Sequence, residues 1–527
     1  MSLRIGIDVG GTHTDAVILD EKNRLVYAVK TPTTPDVTLG ILNALNGVLR
    51  GSGVDPEDVE AAMLGTTHCT NAIVERKRLA KVGVIRIGKP ATLAVKPLRT
   101  FPADLRRAVG EIWTIVAGGH EYDGREITPL NEEEIRRAAG KMRDEGCEAI
   151  AICSVFSPVS PDHEKRAAEI VEEEFGRKAP ITLSYEIGSI GLLERENAAV
   201  LNAAVVKVAE AAINAFEKAM REAGLHKAKL FLTQNDGTLM SADYARKYPI
   251  RTVASGPTNS IRGAAFLTQL NDCVVVDIGG TTTLVGVLVR GFPRESAVAV
   301  EIGGVRTNFR MPDLIAVGCG GGTLVRRYDG DVEIGPQSLG YELVNRGLAW
   351  GGDTLTTTDI ALAAGYAKID DPRCDPARVK HLDGSLIAKA VAKIVNTVEN
   401  AVDRMKTSAE PVPMVLVGGG GIIIPPSHYD KLKGVSKVIR PEHFQYANAI
   451  GAAIAQVSGE VDRIFMLDRI SREEALKTAK EMAIREAINA GAKPDTVQVV
   501  EVDEIPLAYL PGNAIRIRVK AAGSLAI

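Results

Sequence analysis

The sequence predicts an α/β protein in which two duplicated lobes face each other across a cleft, followed by a small α+β appendix. Three observations carry this expectation. Apolar runs of strand length alternate with segments of helical period along most of the chain. A glycine-tipped hairpin opens the chain at residues 4–19, RIGIDVGGTHTDAVIL. The pattern returns at residues 274–287, VVVDIGGTTTLVGV, a spacing too long for a solenoid and suited to duplication. The expected units are residues 1–190, 191–460 and 461–527.

In the first hairpin, Ile5 and Ile7 alternate with Arg4 and Gly6 and lead into Asp8, as a strand entering a tight turn does. Gly10 and Gly11 can adopt positive φ or bring main-chain N–H groups close to a bound anion. Thr12, His13 and Thr14 add side-chain donors, and Asp15 follows. The second copy sets Asp277, Gly279, Gly280, Thr281, Thr282 and Thr283 in the same order. Two such tips facing each other would grip a triphosphate, with a carboxylate on each side for a hydrated cation. This is phosphate chemistry built on β-turns.

Taken in order, residues 37–49 have helical spacing, closed by Gly51-Ser52-Gly53, and residues 59–64 read as a short strand. Residues 65–77, GTTHCTNAIVERK, read as a loop capping a helix. A buried strand at 82–87 precedes residues 88–129, rich in Gly, Pro and Arg without clear period, the mark of a surface excursion or lid. Asn131 caps a helix with acids in its first turn, strand 149–155 and helix 163–175 follow, and strand 181–184 comes next. A long helix over 192–223 is expected to join the lobes. The second lobe is expected to begin with strand 229–233 and to include a helix at 260–267 and strands at 284–289 and 297–302. It continues through the glycine turn of 313–323, helices near 359–364 and 386–405, strand 414–417, turn 418–421 and helix 447–457. The appendix reads as helix 471–490 with strands at 496–502 and 514–519.

Composition narrows the function classes. The chain has 527 residues, 45% hydrophobic and 24% charged, with a net charge of −3. That balance argues against a nucleic-acid or anionic-membrane surface. No run approaches the ~20 apolar residues of a bilayer span, and residues 1–10 carry no signal-peptide core, so a cytoplasmic protein is expected. Six cysteines without a C-x-x-C pair and eight scattered histidines suggest neither a disulfide framework nor zinc. Residues 83–90, GVIRIGKP, imitate a P-loop but place Pro90 where Mg²⁺ needs a hydroxyl. No G-x-G-x-x-G follows a strand, which disfavours a Rossmann site.

Other candidates have two readings each. Gly418, Gly419 and Gly420 follow the strand MVLV and offer bare backbone to a purine and its ribose, or simply relieve crowding. Gly320 and Gly321 either line the cleft near a γ-phosphate or permit a sharp turn. His13 donates to phosphate or to a reacting carbonyl, or holds the turn. Thr66 contacts substrate or caps a helix. Glu194 and Arg195 belong to a charge run that is either solvated or functional.

IDVGGTHTD, VDIGGTTT and VGGGG follow the phosphate-1, phosphate-2, adenosine order of the actin-like ATPase (ribonuclease H-like) fold. Within it, GIDVGGTHTDAV, GTTHCTNAIVERK, LSYEIG, LLEREN, SGP and GCGGGT resemble the hydantoinase/oxoprolinase family, specifically its ATP-binding A-type subunit, the hydantoin-utilisation type. The resemblance implies opening of a cyclic amide (hydantoin, 5-oxoproline or lactam) with ATP and Mg²⁺, through phosphorylation of the carbonyl oxygen, beside a B-type subunit in a hetero-oligomer. Related acetone and acetophenone carboxylases use similar subunits, and a plain small-molecule kinase or a non-catalytic ATP-binding regulator shares the fold. On this basis Asp8 and Asp277 are the metal carboxylates, the glycines and threonines of the hairpins hold phosphate, and Glu194, Arg195, Asn235 and Thr66 face the substrate. Two positions depart from the family. Leu284 stands where the second phosphate loop commonly has aspartate, and Ile315 where oxoprolinases and carboxylases often have histidine.

Overall fold

The computed structural model describes residues 3–10, 12–34, 37–176, 179–296, 300–309, 311–328, 331–508, 510 and 512–526. Gly11 and part of the expected strand at 297–302 lie outside the described residues. The architecture is mixed α/β.

The first hairpin is β1 (Leu3–Val9) and β2 (His13–Leu19), extended by β3 (Leu25–Pro32). β1 and β2 are buried along nearly their whole length, which is why they read as continuous apolar runs around Asp8 and Asp15. β4 (Val59–Gly65) lies parallel to β1, and β5 (Lys229–Thr233) parallel to β4. The second hairpin repeats this plan. β6 (Cys273–Ile278) pairs antiparallel with β7 (Thr283–Val289), while β8 (Val412–Val417) and β9 (Val435–Ile439) continue the sheet in parallel on the β6 side. Each sheet thus turns from antiparallel to parallel at the strand that carries the hairpin aspartate.

Strand pairing departs from the expected unit boundaries. β5 joins the first sheet, not the second. So do β10 (Val457–Met466), β11 (Gln498–Pro506) and β12 (Ala514–Gly523), which with the short strand Leu239–Ser241 complete a sheet of nine. Residues 461–527 are therefore no separate appendix. Local period reveals that a strand exists but not which distant edge receives it. The excursion at 88–129 also holds more order than its composition suggests. Ala103–Val109 is a helix, and Ile112–Ala117 joins a parallel sheet with Val82–Lys89, Ala149–Ser154 and Ile181–Leu183.

The long helix α1 (Leu192–Glu222) spans the four-stranded and nine-stranded sheets, whereas the expected join was between the two hairpin-bearing lobes. Ala198–Ala209 packs under the four-stranded sheet, whereas Phe216, Ala219 and Met220 pack under the nine-stranded one. It is long and apolar enough in composition to cross a bilayer, contrary to the reading that no segment is, yet 72% of its most apolar window is buried inside the protein.

Two further helices set the site. α2 (Ser255–Thr268) and α3 (Ala447–Ile454) cross backbone against backbone. A Cβ on Gly263 would lie 1.9 Å from the Ala447 carbonyl oxygen, and one on Gly451 would lie 1.9 Å from that of Asn259. α3 presses equally closely on β1, where a Cβ on Gly6 would meet the Ala449 carbonyl at 2.1 Å. These contacts lock the second sheet's helix to β1 of the first sheet. Gly451→Ala is expected to force the crossing apart and to destabilise the protein by about 1–3 kcal/mol, read as an earlier urea midpoint.

Candidate functional site

The loops at the ends of β1 and β6 meet. The two turns have one geometry, Gly10 N–H donating to His13 O at 3.0 Å and Gly279 N–H to Thr282 O at 2.9 Å. Their tips touch, since a Cβ on Gly280 would sit 2.5 Å from Thr12 Cγ2. Behind the tips, Asp8 and Asp277 are both buried and both served by Asn448 of α3, whose Nδ2 donates to Asp8 Oδ2 at 3.3 Å. Ser260 of α2 donates its hydroxyl to Asp277 Oδ2. Asp15, opposite Asp8 in the hairpin, accepts from Lys30 Nζ at 2.5 and 2.7 Å.

Burial dominates the electrostatics. It pushes the Asp8 carboxyl up to about 7, with Asp15 and Asp277 adding to the rise and Asn448 and Lys30 opposing it. Asp277 and Asp15 are raised for the same leading reason. His13 is driven the other way, down to about 4, first by burial and then by the Lys30 ammonium, so at neutral pH it is uncharged. It can therefore donate or accept a hydrogen bond, as it does 3.2 Å from Thr12 Oγ1, but brings no positive charge to phosphate.

The surrounding polar atoms suit a hard divalent cation. Every group converging on Asp8 and Asp277 from α2 and α3 is an amide or hydroxyl, and Asn259 Oδ1, Asn448 Oδ1 and Ser255 Oγ are buried without a hydrogen-bond partner. Gly65 brings this set together, because a Cβ there would lie 2.9 Å from both Asp8 Oδ1 and Asn259 Nδ2. Carboxylate and amide oxygens in this number are a donor set for Mg²⁺ or Ca²⁺, not for zinc.

The remaining sequence candidates divide. Thr281 and Thr282 stay half-buried at the second tip. Thr14 and Thr283 turn into the protein instead, Thr283 Oγ1 donating to Cys319 O at 2.5 Å and Thr14 Oγ1 lying 3.5 Å from Thr33 Oγ1. Gly320 and Gly321 do not present free N–H groups to the cleft. Gly320 N–H donates to Thr323 Oγ1 at 2.7 Å and Gly321 N–H to Gly279 O at 3.0 Å, so the turn braces the second hairpin from behind. Gly418 and Gly420 also close against that hairpin, where Cβ atoms would stand 2.1 Å from Asp277 Oδ1 and 2.3 Å from Gly279 O. Only Gly419 of the three opens on free space. Thr66 follows Gly65, is buried, and shares a hydrogen bond with His68 Nδ1.

Arg195 is the clearest correction. Its guanidinium is buried and donates to Ser154 O, Ser189 O and Ser184 Oγ at 2.6, 2.9 and 3.0 Å. Glu196 pairs with Arg86, both oxygens engaged at 2.6 Å, with neither side chain reaching solvent. Arg195 and Glu196 thus form an internal brace, since a buried charge must be paired or hydrogen-bonded to be tolerated. Glu194 and Asn235 line a cavity of about 1150 Å³ floored by Glu460, Asp462, Arg516 and Lys520. Asn235 connects it to the carboxylates, for its carbonyl accepts from Thr258 on the first turn of α2, whose Gly256 lies beside Asp8.

Asn448, Asn259, Ser260 and Lys30 were not legible as site residues. Each stands on an ordinary helix or strand and gains its role only when that element is packed. His120, Glu126 and His163 form a second cluster that spacing did not reveal, with ligand atoms within 4.8 Å. Gly119 N–H donates to His163 Nδ1 at 3.0 Å, which leaves the proton on Nε2, facing Glu126 Oε1 at 3.0 Å. A metal-bound imidazole needs the opposite polarity at its free nitrogen, so this is a hydrogen-bonded clasp.

Two family profiles match the chain. The hydantoinase/oxoprolinase N-terminal region covers residues 4–175 and the hydantoinase/oxoprolinase domain residues 195–383. The chain belongs to the hydantoinase/oxoprolinase family. It is 29% identical to the acetophenone carboxylase gamma subunit of Aromatoleum aromaticum and 28% identical to the caprolactamase subunit alpha of Pseudomonas jessenii, in each case over 69% of this chain. Those matches cover 53% and 54% of the relatives, so this family member spans about half their length. Its fold is also that of the ATP-dependent caprolactamase crystal structure from Pseudomonas jessenii, with a TM-score of 0.78 and 20% identity over 98% of this chain and 87% of that one.

Asp8 supplies a pH signature. A carboxyl held above its unfolded value of 3.8 contributes stability that is full below that value and is lost as pH rises through about 7. In chelator-treated protein, Asp8→Asn should therefore melt a few degrees above wild type at pH 8. At pH 4 the two melting temperatures should coincide.

Proposed function

We propose that this chain is the ATP-binding A-type subunit of an enzyme that opens a cyclic amide with Mg·ATP, working beside a B-type partner. The observation that carries the reading is the convergence of Asp8 and Asp277 on one side chain, Asn448, directly behind two touching hairpin tips. The two matching sheets support an actin-like pair of lobes around a nucleotide cleft.

Main-chain N–H groups and threonine hydroxyls at the tips would hold the phosphates. Gly419 would leave room for adenosine, and Asp8 and Asp277 would carry the water shell of the cation. Bound magnesium would supply charge neutralisation at the β- and γ-phosphates. The cavity reached past Asn235 would hold the amide, whose carbonyl oxygen attacks the γ-phosphorus. An O–P bond forms and the bond from that phosphorus to the bridging oxygen breaks, releasing ADP. Water then adds to the activated carbon, the ring C–N bond breaks with its electron pair and a proton passing to the amine nitrogen, and a second water hydrolyses the resulting acyl phosphate to carboxylate and inorganic phosphate. Uncharged His13 would serve as a hydrogen-bond partner near the tip, and Glu194 as a polar wall of the substrate cavity.

The carboxylase alternative shares phosphoryl transfer to an oxygen of the organic substrate and is favoured by the acetophenone carboxylase likeness. Against it, and equally against the 5-oxoprolinase branch, Ile315 packs on the apolar core of the second sheet and supplies no imidazole. A screen of hydantoins, 5-oxoproline and lactams, with the partner subunit present, should show amide-stimulated phosphate release that does not require bicarbonate. Strict bicarbonate dependence would move the assignment to the carboxylases. Asp8→Ala should lower ATP turnover by about 10³-fold or more while changing adenosine affinity only a few-fold; unchanged turnover would refute the assignment.

A further inference from the structure

We propose that Lys30 is a built-in counter-charge that limits the carboxylate cluster to one divalent cation, an inference that rests on the nucleotide reading above. Asp8, Asp15 and Lys30 are successive cross-strand partners on β1, β2 and β3, so the three side chains share one face of the sheet. Two carboxylates facing each other across a strand pair repel, and such a pair is also an invitation to a metal ion. Here the invitation is closed. Lys30 Nζ engages both Asp15 oxygens at 2.5 and 2.7 Å. The same ammonium stands 5.7 Å from the centre of the Tyr446 ring, on the helical turn that leads into α3, which fixes it from the other side.

The second hairpin shows what the row becomes when this problem does not arise. Its equivalent partners are Asp277, Leu284 and Ala316, one carboxylate and two apolar residues. Lys30 balances an aspartate that the second hairpin simply lacks. What remains open to a cation is Asp8 from one lobe and Asp277 from the other, joined by Asn448, with the partnerless Asn259 and Asn448 oxygens around them. Two carboxylates match the charge of one divalent ion.

The test counts ions on the full chain with Mn²⁺ as probe, by electron paramagnetic resonance titration in the presence of a non-hydrolysable ATP analogue. Wild type and Lys30→Arg should bind one Mn²⁺ per chain. Lys30→Met, which frees Asp15 beside Asp8, should bind two. Leu284→Asp, which builds an unbalanced carboxylate pair in the second hairpin, should also bind two and keeps the test available if Lys30→Met fails to fold. Two ions in wild type, or one ion in a folded Lys30→Met or Leu284→Asp, overturn the proposal while leaving the nucleotide reading intact. No Mn²⁺ bound by wild type with the analogue overturns that reading, and the proposal with it.

Discussion

Carboxylates of one sign cannot be gathered in a dry, small volume without something to hold them there, and the fold is arranged around that constraint. Asp8, Asp15 and Asp277 are all buried, and burial raises all three. Each has a polar partner: an amide that Asp8 shares with Asp277, an ammonium for Asp15 and a hydroxyl for Asp277. Those partners come from β3 and α2, which neighbour their aspartates in sequence, and from α3, which stands 440 residues from Asp8. The cluster therefore exists only in the assembled protein.

Assembly depends on how closely α2 and α3 approach. Side-chain-free positions at Gly263 and Gly451 let the two backbones come into direct contact, and Gly6 lets α3 settle on β1. The amides and hydroxyls of these helices can then reach carboxylates on both sheets. Bulkier residues at the crossing would separate the helices and carry Asn448 and Ser260 away from their aspartates. Packing and electrostatics are in this respect one problem, since the small residues that permit the crossing also set the hydrogen bonds.

Much of this was legible in the chain, and what was not has a physical reason. Both hairpins, their aspartates and the glycine turn after MVLV follow from local pattern, because a turn is decided by a few adjacent residues. Arg195 and Glu196 were ambiguous because a charged tetrad looks the same whether water or an opposite charge receives it; burial decided it. Gly320 and Gly321 have the composition of a phosphate loop, yet their N–H groups are taken by neighbouring backbone and a threonine hydroxyl. Asn448 and Lys30 carry no local signature at all. Lys30 gains its role from a strand register that local period does not fix, and Asn448 from a contact across most of the chain's length, the same kind of distant pairing that decides where β5 and β10–β12 join the first sheet.

The nine-stranded sheet has a consequence for biogenesis. β1 precedes in sequence all the other strands of that sheet, while β10, β11 and β12 complete it only with residues 457–523. A nascent chain must therefore carry an incomplete sheet, with an open hydrogen-bonding edge at Leu239–Ser241 and β5, until residues 457–523 have emerged. Sheltering that edge during synthesis becomes part of making the sheet at all.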